Sequence, residues 1–282
     1  MTVFFLSDYG TQDEFVGVVH AVLVTASPGL TIIDLTHHIP AFDVRAGSHT
    51  LARASPHLGP GVVLAVVDPG VGSRRRGLCV PVAPPGSGPT FFVGPDNGLL
   101  VAAAELVGGA PIAHAFELHR PSAPGRASGP AAGPAGHGSS FDGRDLFAPA
   151  AAALCGGVAP EELGDPVDPL SLVRLPGGVV EHGRRSVRAE VLWVDHFGNI
   201  ALAATAVDAQ MAQLPTTGTV DLVVSDRVAG VTLCRVETFD ELARGELGLL
   251  IDANGHLAVV AGEASAARAL TVIAGQMVLL TW

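Results

Sequence analysis

The chain has 282 residues, 48% of them hydrophobic, and a formal net charge of −11. Its length and apolar content allow one large domain or two ordinary ones, while the negative balance opposes capture of a long polyanion, so nucleic acid is not an expected partner. All 16 basic residues are arginine, which excludes Schiff-base chemistry and the lysine of a Walker loop, both of which need a side-chain amine.

The cysteines, Cys79, Cys155 and Cys234, are odd in number and widely spaced, so they suggest neither a disulfide framework nor a zinc knuckle. They fit a reducing, cytoplasmic setting. The opening MTVFFLSDYG has no basic leader, and its apolar run stops at Asp8. Neither a signal peptide nor a membrane span is expected there.

In chain order, residues 3–6 predict a strand, and residues 13–26 predict a helix with an apolar face from Phe15 to Leu23. A β-branched strand over 30–35, a helix over 46–55 and a continuous apolar strand over 61–67 follow. The last is what a strand covered on both faces of a mainly parallel sheet requires. Residues 121–138 are almost wholly Pro, Gly, Ala and Ser and predict a flexible insertion; 146–154 predict a helix. Beyond Arg185 the runs 187–194, 220–224, 231–236, 247–251, 257–260 and 277–280 are short and β-rich, with Asn254-Gly255 as a hairpin signal. The expected organisation is an α/β domain over 1–163 with a Rossmann-like, mainly parallel sheet, a turn-rich linker over 164–184, and a small antiparallel β-barrel over 185–282.

Polar clusters interrupt this apolar background directly after strands or before helices: Ser7-Asp8-Tyr9-Gly10 with Asp13, Asp68 to Arg75, Gly94-Pro95-Asp96-Asn97-Gly98, and Phe141-Asp142-Gly143-Arg144-Asp145. In an open α/β sheet, ligands bind at the carboxyl ends of the strands, so Asp8, Asp68 and Asp96 are candidates to converge on one crevice. Each cluster also reads as a plain turn or cap, Asp13 as a helix N-cap, and only the combination points to chemistry. Asp68-Pro69-Gly70-Val71-Gly72 lacks the spacing of a dinucleotide loop. Asp195-His196-Phe197-Gly198-Asn199 supplies an aromatic face for a flat base, an amide for its edge and a carboxylate for an ammonium group. His37 and His38 are adjacent and point apart on an extended chain, so spacing predicts no metal site.

These motifs, in order, resemble the S-adenosylmethionine hydroxide adenosyltransferase family, relatives of the S-adenosylmethionine-dependent fluorinase and chlorinase. The resemblance runs through SDYG at Ser7, DLTHHIPAFD from Asp34, DPGVGSRRR from Asp68, GPDNG from Gly94, FDGRDLFAPAAA from Phe141 and DHFGNI from Asp195. It implies hydrolysis of S-adenosylmethionine at ribose C5′ to adenosine and methionine, with no cofactor, by a homotrimer whose sites lie between one subunit's N-terminal domain and a neighbour's C-terminal domain. It also implies that Asp8 holds the ribose hydroxyls and that Asp195, Phe197 and Asn199 hold adenine and the methionine end. Asp13, Phe42, Asp96, Asn97 and Asn254 complete the expected substrate-binding set.

The family's catalytic Asp, Arg and His correspond to Asp68, Arg75 and the second position of a Phe-His-Gly-Arg-Asp motif, where this chain has Asp142. A second carboxylate beside Asp68 calls for a neutralising cation, Arg75 or Arg144. His137, on the insertion, is a possible substitute for the missing imidazole. The halide-transferring relatives have Tyr at the position of Asp68, and a carboxylate there repels a halide. A non-catalytic trimer binding S-adenosylmethionine or adenosine is the alternative that Asp142 raises.

Overall fold

A computed structural model describes residues 1–84, 86–120, 140–224 and 230–282. The expected insertion over 121–138, and His137 with it, lies outside the described residues. The chain divides into two compact units, 1–175 and 176–282.

Unit 1 begins β1 (Thr2–Ser7), α1 (Phe15–Ala26), β2 (Thr31–Thr36), α2 (Val44–Ala54) and β3 (Gly61–Val66). It continues with β4 (Gly77–Val82), β5 (Thr90–Pro95), α3 (Val101–Gly108) and β6 (Ala115–Leu118), then α4 (Ala148–Cys155), α5 (Pro160–Leu163) and β7 (Gly164–Val167). The sheet order is β2-β1-β3-β5-β4-β6-β7. β2, β1, β3 and β5 are mutually parallel, and β4 and β7 run against the rest. The turn-rich 164–184 segment, expected as a linker, carries edge strand β7 because its backbone pairs with β6.

Period-two alternation makes the sheet two-faced. Val3 and Phe5 of β1 with Val62, Leu64 and Val66 of β3 pack in one cluster with Val19 and Leu23 of α1 and the alanines of α4. Phe4 and Leu6 with Val63 and Ala65 pack on the other face with Leu51 of α2 and Ala103 and Ala104 of α3. One-residue steps along β1 and β3 thus feed opposite cores, which is why both strands read as unbroken apolar runs. The connection from β1 through α1 goes to β2 on one side, and the next through α2 returns to β3 on the other. The crevice at the carboxyl ends of β1 and β3 is therefore a topological switch point, the place where such sheets bind ligands.

Unit 2 contains β8 (Val180–Gly183), β9 (Ser186–Val194), β10 (Ile200–Thr205), α6 (Ala206–Met211) and β11 (Thr219–Val224). β12 (Val231–Arg235), β13 (Leu247–Ile251), β14 (His256–Ala261), α7 (Ala266–Leu270) and β15 (Met277–Thr281) complete it. Seven strands close in the order β10-β14-β13-β12-β11-β15-β9, with β9 pairing back to β10 and β8 extending from β9. One pair, β12 with β13, is parallel inside this otherwise antiparallel barrel. Inward residues such as Val187, Ala189 and Val191 of β9 and Ile200, Leu202 and Ala204 of β10 fill the interior. The hairpin at Asn254-Gly255 is present, joining β13 to β14. Its loop is not a type I′ turn, which needs positive φ at both central residues: only Gly255 takes positive φ (82°), and the Asp252 carboxylate holds the loop by accepting from the N–H groups of Asn254 and His256.

Phe92 on β5 is fully buried. Phe92→Ala should lower stability by about 3–5 kcal/mol, measurable as a lower urea midpoint with little change in slope.

Candidate active site

Asp8 and Asp68 follow the parallel neighbours β1 and β3, which pair Ser7 with Val66. Asp68 opens two successive tight turns, with Val71 N–H donating to Asp68 O and Ser73 N–H to Gly70 O, and Gly72 supplies the positive φ of 78°. These turns fold Arg75 back onto Asp68. The Arg75 Nε–H donates to Asp68 Oδ1 at 2.9 Å and its Nη2 contacts Asp68 Oδ2, a bidentate pair.

The same Nη2 contacts Asp142 Oδ2. Asp142 lies just before a single π-helical turn, Gly143–Phe147, that leads into α4, a local irregularity that often marks functional positions. Asp142 Oδ1 accepts a second guanidinium bond from Arg120 Nη1 at 3.1 Å, and Arg120 Nη2 reaches Arg75 O at 3.4 Å. The side chains of Asp68, Arg75 and Asp142 are 6%, 9% and 5% exposed, so two carboxylates and one guanidinium share a nearly dry space, with Arg120 supplying the second positive charge at its edge. Burial works against the Arg75 cation, but hydrogen bonds and attraction from Asp68 and Asp142 outweigh it and hold its pKa above the ordinary value.

Arg120 is the neutraliser that sequence reasoning missed. Arg144, expected in that role, instead grips its neighbour Asp145 at 2.6 and 2.8 Å and lies over the Phe141 ring. Nothing in sequence flagged Arg120, because it lies two residues beyond the four-residue strand β6 and outside every motif.

Tyr9, the sole tyrosine, was noted only as part of its motif. Burial, followed by the negative charges of Asp8, Asp68 and Asp142, raises its phenol pKa far above the usual range, against the influence of Arg75. It stays a protonated donor at any working pH. Its ring stands edge-on to Phe141 and tilted against Phe15, with centroids 5.6 and 5.7 Å away. A Cβ at Gly143 would fall 2.1 Å from its hydroxyl oxygen, so the approach of Tyr9 to this backbone requires the glycine.

Asp8 is positioned by an unusual donor. Its Oδ2 accepts at 2.9 Å from the N–H of Phe42, a non-glycine residue at φ 68° whose side chain is 73% exposed. A strained backbone carrying a bare aromatic ring beside a candidate ligand carboxylate is a functional signature.

The other expected residues divide. Asp96 is buried with both oxygens engaged inside unit 1, one by Arg76 Nε at 2.8 Å and one by the Val173 N–H at 2.9 Å. Asn97 bridges Val67 O and the Leu99 N–H, tying the end of β3 to the approach of α3. Both side chains therefore brace the fold. Asp13 is exposed before α1, whose N-cap is Glu14. Two members of the arginine run, Arg75 and Arg76, are paired with carboxylates, so that run is not a free basic patch.

In unit 2, the Asp195 carboxylate accepts from the N–H groups of Phe197 and Asn199 through Oδ1, at 2.9 and 2.8 Å, and from Asn199 Nδ2 through Oδ2 at 2.8 Å. Gly198 at φ 87° lets the loop turn, and a Cβ there would strike Ser265 Oγ at 2.0 Å. The loop borders a cavity of about 660 Å³ lined by Asp195, Phe197, Asn199, Phe239, Ala261, Glu263, Ala264 and Ser265. Phe197 and Phe239 are 75% and 53% exposed there, which suits stacking on a planar ligand. Phe239 and Glu263 were not anticipated, since neither lies in a motif. Asn254 sits at its hairpin tip and does not line this cavity.

His37 is buried and His38 exposed, as adjacent positions on an extended chain should be. His37 is nonetheless close to His20 and Asp34, a grouping contributed by three separate places in the chain. No helix among the described residues is long and apolar enough to cross a membrane.

The family model "SAM hydroxide adenosyltransferase N-terminal domain" matches residues 3–164, and the corresponding C-terminal domain matches 189–279. An "(R)-S-adenosyl-L-methionine hydrolase" from Salinispora tropica is 40% identical over 98% of this chain and 96% of its own. One of the same name from Thermus thermophilus is 38% identical over 99% of this chain and 98% of its own. A fluorinase from an Actinoplanes species is a more distant relative, 25% identical over 98% and 96% of the two chains. A crystal structure of a conserved protein from Thermotoga maritima superposes with a TM-score of 0.85 at 30% identity, covering 99% of this chain and 100% of that one. With both units matched in order, and with relatives this similar along nearly the whole length, the chain belongs to the SAM hydroxide adenosyltransferase family.

Proposed function

We propose that this protein cleaves S-adenosylmethionine at ribose C5′ with water, giving adenosine and L-methionine. The observation that carries the reading is the buried Asp68–Arg75 pair at the switch point of the sheet, a fixed carboxylate in the crevice where ligands of such folds sit. The hydrolase name of the relatives agrees with it. The (R)-sulfonium form in that name is the substrate to try first.

The reaction is an in-line displacement. A water oxygen forms a bond to C5′ as the C5′–S bond breaks, the bonding pair returns to sulfur as a neutral thioether, and the attacking water loses one proton. The sulfonium is already a good leaving group, so the protein's main task is to align water, C5′ and sulfur in a site shielded from bulk solvent. Asp68 orients the water and takes up its proton. Both of its oxygens face Arg75, yet each keeps a second lone pair for that purpose. Arg75 fixes the direction of Asp68 through its bidentate contact. Asp8 binds the ribose hydroxyls; Phe197, Asn199 and Asp195 receive adenine and the methionine end, with Phe239 as a second aromatic wall.

The reading includes a homotrimer in which unit 1 of one subunit meets unit 2 of a neighbour, a cytoplasmic setting and no cofactor. Halide transfer is disfavoured, because a buried carboxylate at Asp68 repels an anionic nucleophile. The rival is a protein that binds S-adenosylmethionine without cleaving it, favoured by Asp142, which stands where the family resemblance implies histidine. Adenosine release from S-adenosylmethionine, followed chromatographically, separates the two.

Three outcomes are expected. Asp68→Asn should retain adenosine affinity and lower turnover roughly 10²- to 10⁴-fold; unchanged turnover would exclude water activation by Asp68. Asp142→His should slow hydrolysis, because it leaves Arg120 without its carboxylate, and adding Arg120→Ala should recover part of the loss. A faster Asp142→His enzyme would instead mark Asp142 as a weakening replacement. Finally, Phe197→Ala and Asp68→Asn subunits, each impaired, should regain activity when mixed and exchanged, and an active monomer in sedimentation would defeat the shared site.

A further inference from the structure

His20 on α1, Asp34 on β2 and His37 just beyond β2 bring two imidazole nitrogens and a carboxylate oxygen together within 4.8 Å of one another. His20 Nε2 is 2.9 Å and His37 Nε2 3.1 Å from the same atom, Asp34 Oδ1. With metal–ligand bonds of about 2.0–2.2 Å, neighbouring donors at the corners of an octahedron or tetrahedron stand roughly 3.0–3.5 Å apart. The two separations from Asp34 Oδ1, 2.9 and 3.1 Å, lie at the short end of that spacing, and the three donor atoms all fall within 4.8 Å of one another.

The His37 ring is held for such a role. It is 5% exposed, its Nδ1 is bonded to Ser7 Oγ at 2.8 Å, and the Phe5 ring packs edge-on at 4.6 Å between centroids. That leaves Nε2 buried and directed into the cluster. Although Asp34 Oδ1 is near, Nε2 makes no properly directed hydrogen bond. An in-line N–H bond would place the oxygen on the ring-nitrogen axis, whereas a metal corner places the ion there and the oxygen to one side. The outer contact to Ser7 is the arrangement that fixes the tautomer and direction of ligating histidines. On the open side, the His20 and Asp34 side chains are 32% and 40% exposed, leaving a path for an ion and room for water.

We propose that His20, Asp34 and His37 form a binding site for one divalent first-row transition ion of the Zn²⁺ type, with water completing the coordination. The donor set selects the ion: two imidazoles and one carboxylate suit Zn²⁺ and its neighbours, whereas Mg²⁺ and Ca²⁺ favour oxygen alone. The site shares no residue with the groups assigned to substrate and catalysis above, and it braces the loop that carries Asp8 and Tyr9. Gly10 N–H donates to His37 O at 2.7 Å, and Tyr9 N–H to Ser7 Oγ at 3.3 Å, so a metal that fixes His37 also fixes that loop.

The test uses the full chain, stripped with chelator and titrated with Zn²⁺ by calorimetry and with Co²⁺ by visible absorption. One ion per chain should bind saturably, raise the melting temperature and, as Co²⁺, produce a ligand-field spectrum. His20→Ala and Asp34→Asn should each weaken binding at least tenfold, abolish the Co²⁺ spectrum of the site and remove the melting shift. Their metal-free melting temperatures and circular dichroism, compared with the stripped wild type, report whether they are folded. The chain has 11 histidines, so ions held elsewhere must be distinguished: binding of the same stoichiometry and strength in folded variants would overturn the proposal. Absence of a saturable 1:1 complex in the wild type would overturn it too. Should His20→Ala fail to fold, the milder His20→Gln, which keeps the side-chain bulk and removes the imidazole, is read by the same spectrum.

Discussion

Arg75 holds two carboxylates at once, and the candidate chemistry of unit 1 depends on that contact. Bringing Asp68, Arg75 and Asp142 into a nearly dry space costs hydration that a single guanidinium cannot repay for two anions. Arg120 brings the count to two positive and two negative charges, and its more exposed side chain makes the balance cheaper to maintain. Such a network is better understood as a device for fixed geometry than as a source of stability. Removing one member of a buried pair leaves an uncompensated charge, at about 3–5 kcal/mol. The Asp68 carboxylate is consequently rigid because its alternatives are expensive.

The fold makes this network possible by delivering its members from different elements to one end of the sheet. Asp68 leaves β3, Arg75 returns through two tight turns, Asp142 enters from the π-helical turn and Arg120 follows β6. Around them, small backbone concessions do the positioning. Gly143 makes room for the Tyr9 hydroxyl, and Phe42 accepts a left-handed backbone so that its N–H can hold Asp8. The neighbouring Asp96 shows the opposite use of a carboxylate at a strand end. Arg76 and the Val173 N–H occupy both its oxygens, which anchors the 169–173 segment to the end of β5.

Much of this was legible in the sequence where one physical rule dominated. The apolar run at 61–67 announced a doubly covered strand, and the β-rich second half announced a barrel, because alternation and burial act locally. β4, β5 and β6 were not picked out, since their residues lie among Pro, Gly and Thr that read as turns. Asp96 and Asp68 looked alike in sequence, each an acidic residue in a turn after a strand; only the tertiary structure shows that Asp96 is held by Arg76 and the Val173 N–H and Asp68 by Arg75. Arg120 and the grouping of His20 with Asp34 and His37 were illegible for one reason. Their meaning lies in contacts between elements far apart in the chain, and a search by spacing finds ligand sets that share a helix or a turn, not those assembled by a crossover.

Asp142, standing where the family resemblance implies histidine, can be judged by charge and by proton handling, and the two give different answers. A neutral imidazole beside Asp68 and Arg75 leaves that group neutral overall; Asp142 adds one negative charge and Arg120 cancels it, so the electrostatic background seen by a sulfonium is restored. Proton handling is not restored in the same way. An imidazole can donate through one nitrogen while accepting through the other, whereas an ionised carboxylate only accepts, and Asp142 already meets two guanidiniums. Hydrolysis of a sulfonium tolerates that loss better than most reactions, because the leaving group needs no proton and the oxygen bonded to C5′ becomes strongly acidic as the bond forms. In the proposed mechanism Asp68 alone receives the proton, provided that its direction is kept. The Asp142–Arg120 pair then preserves what that mechanism needs most, the orientation of Arg75 and through it of Asp68.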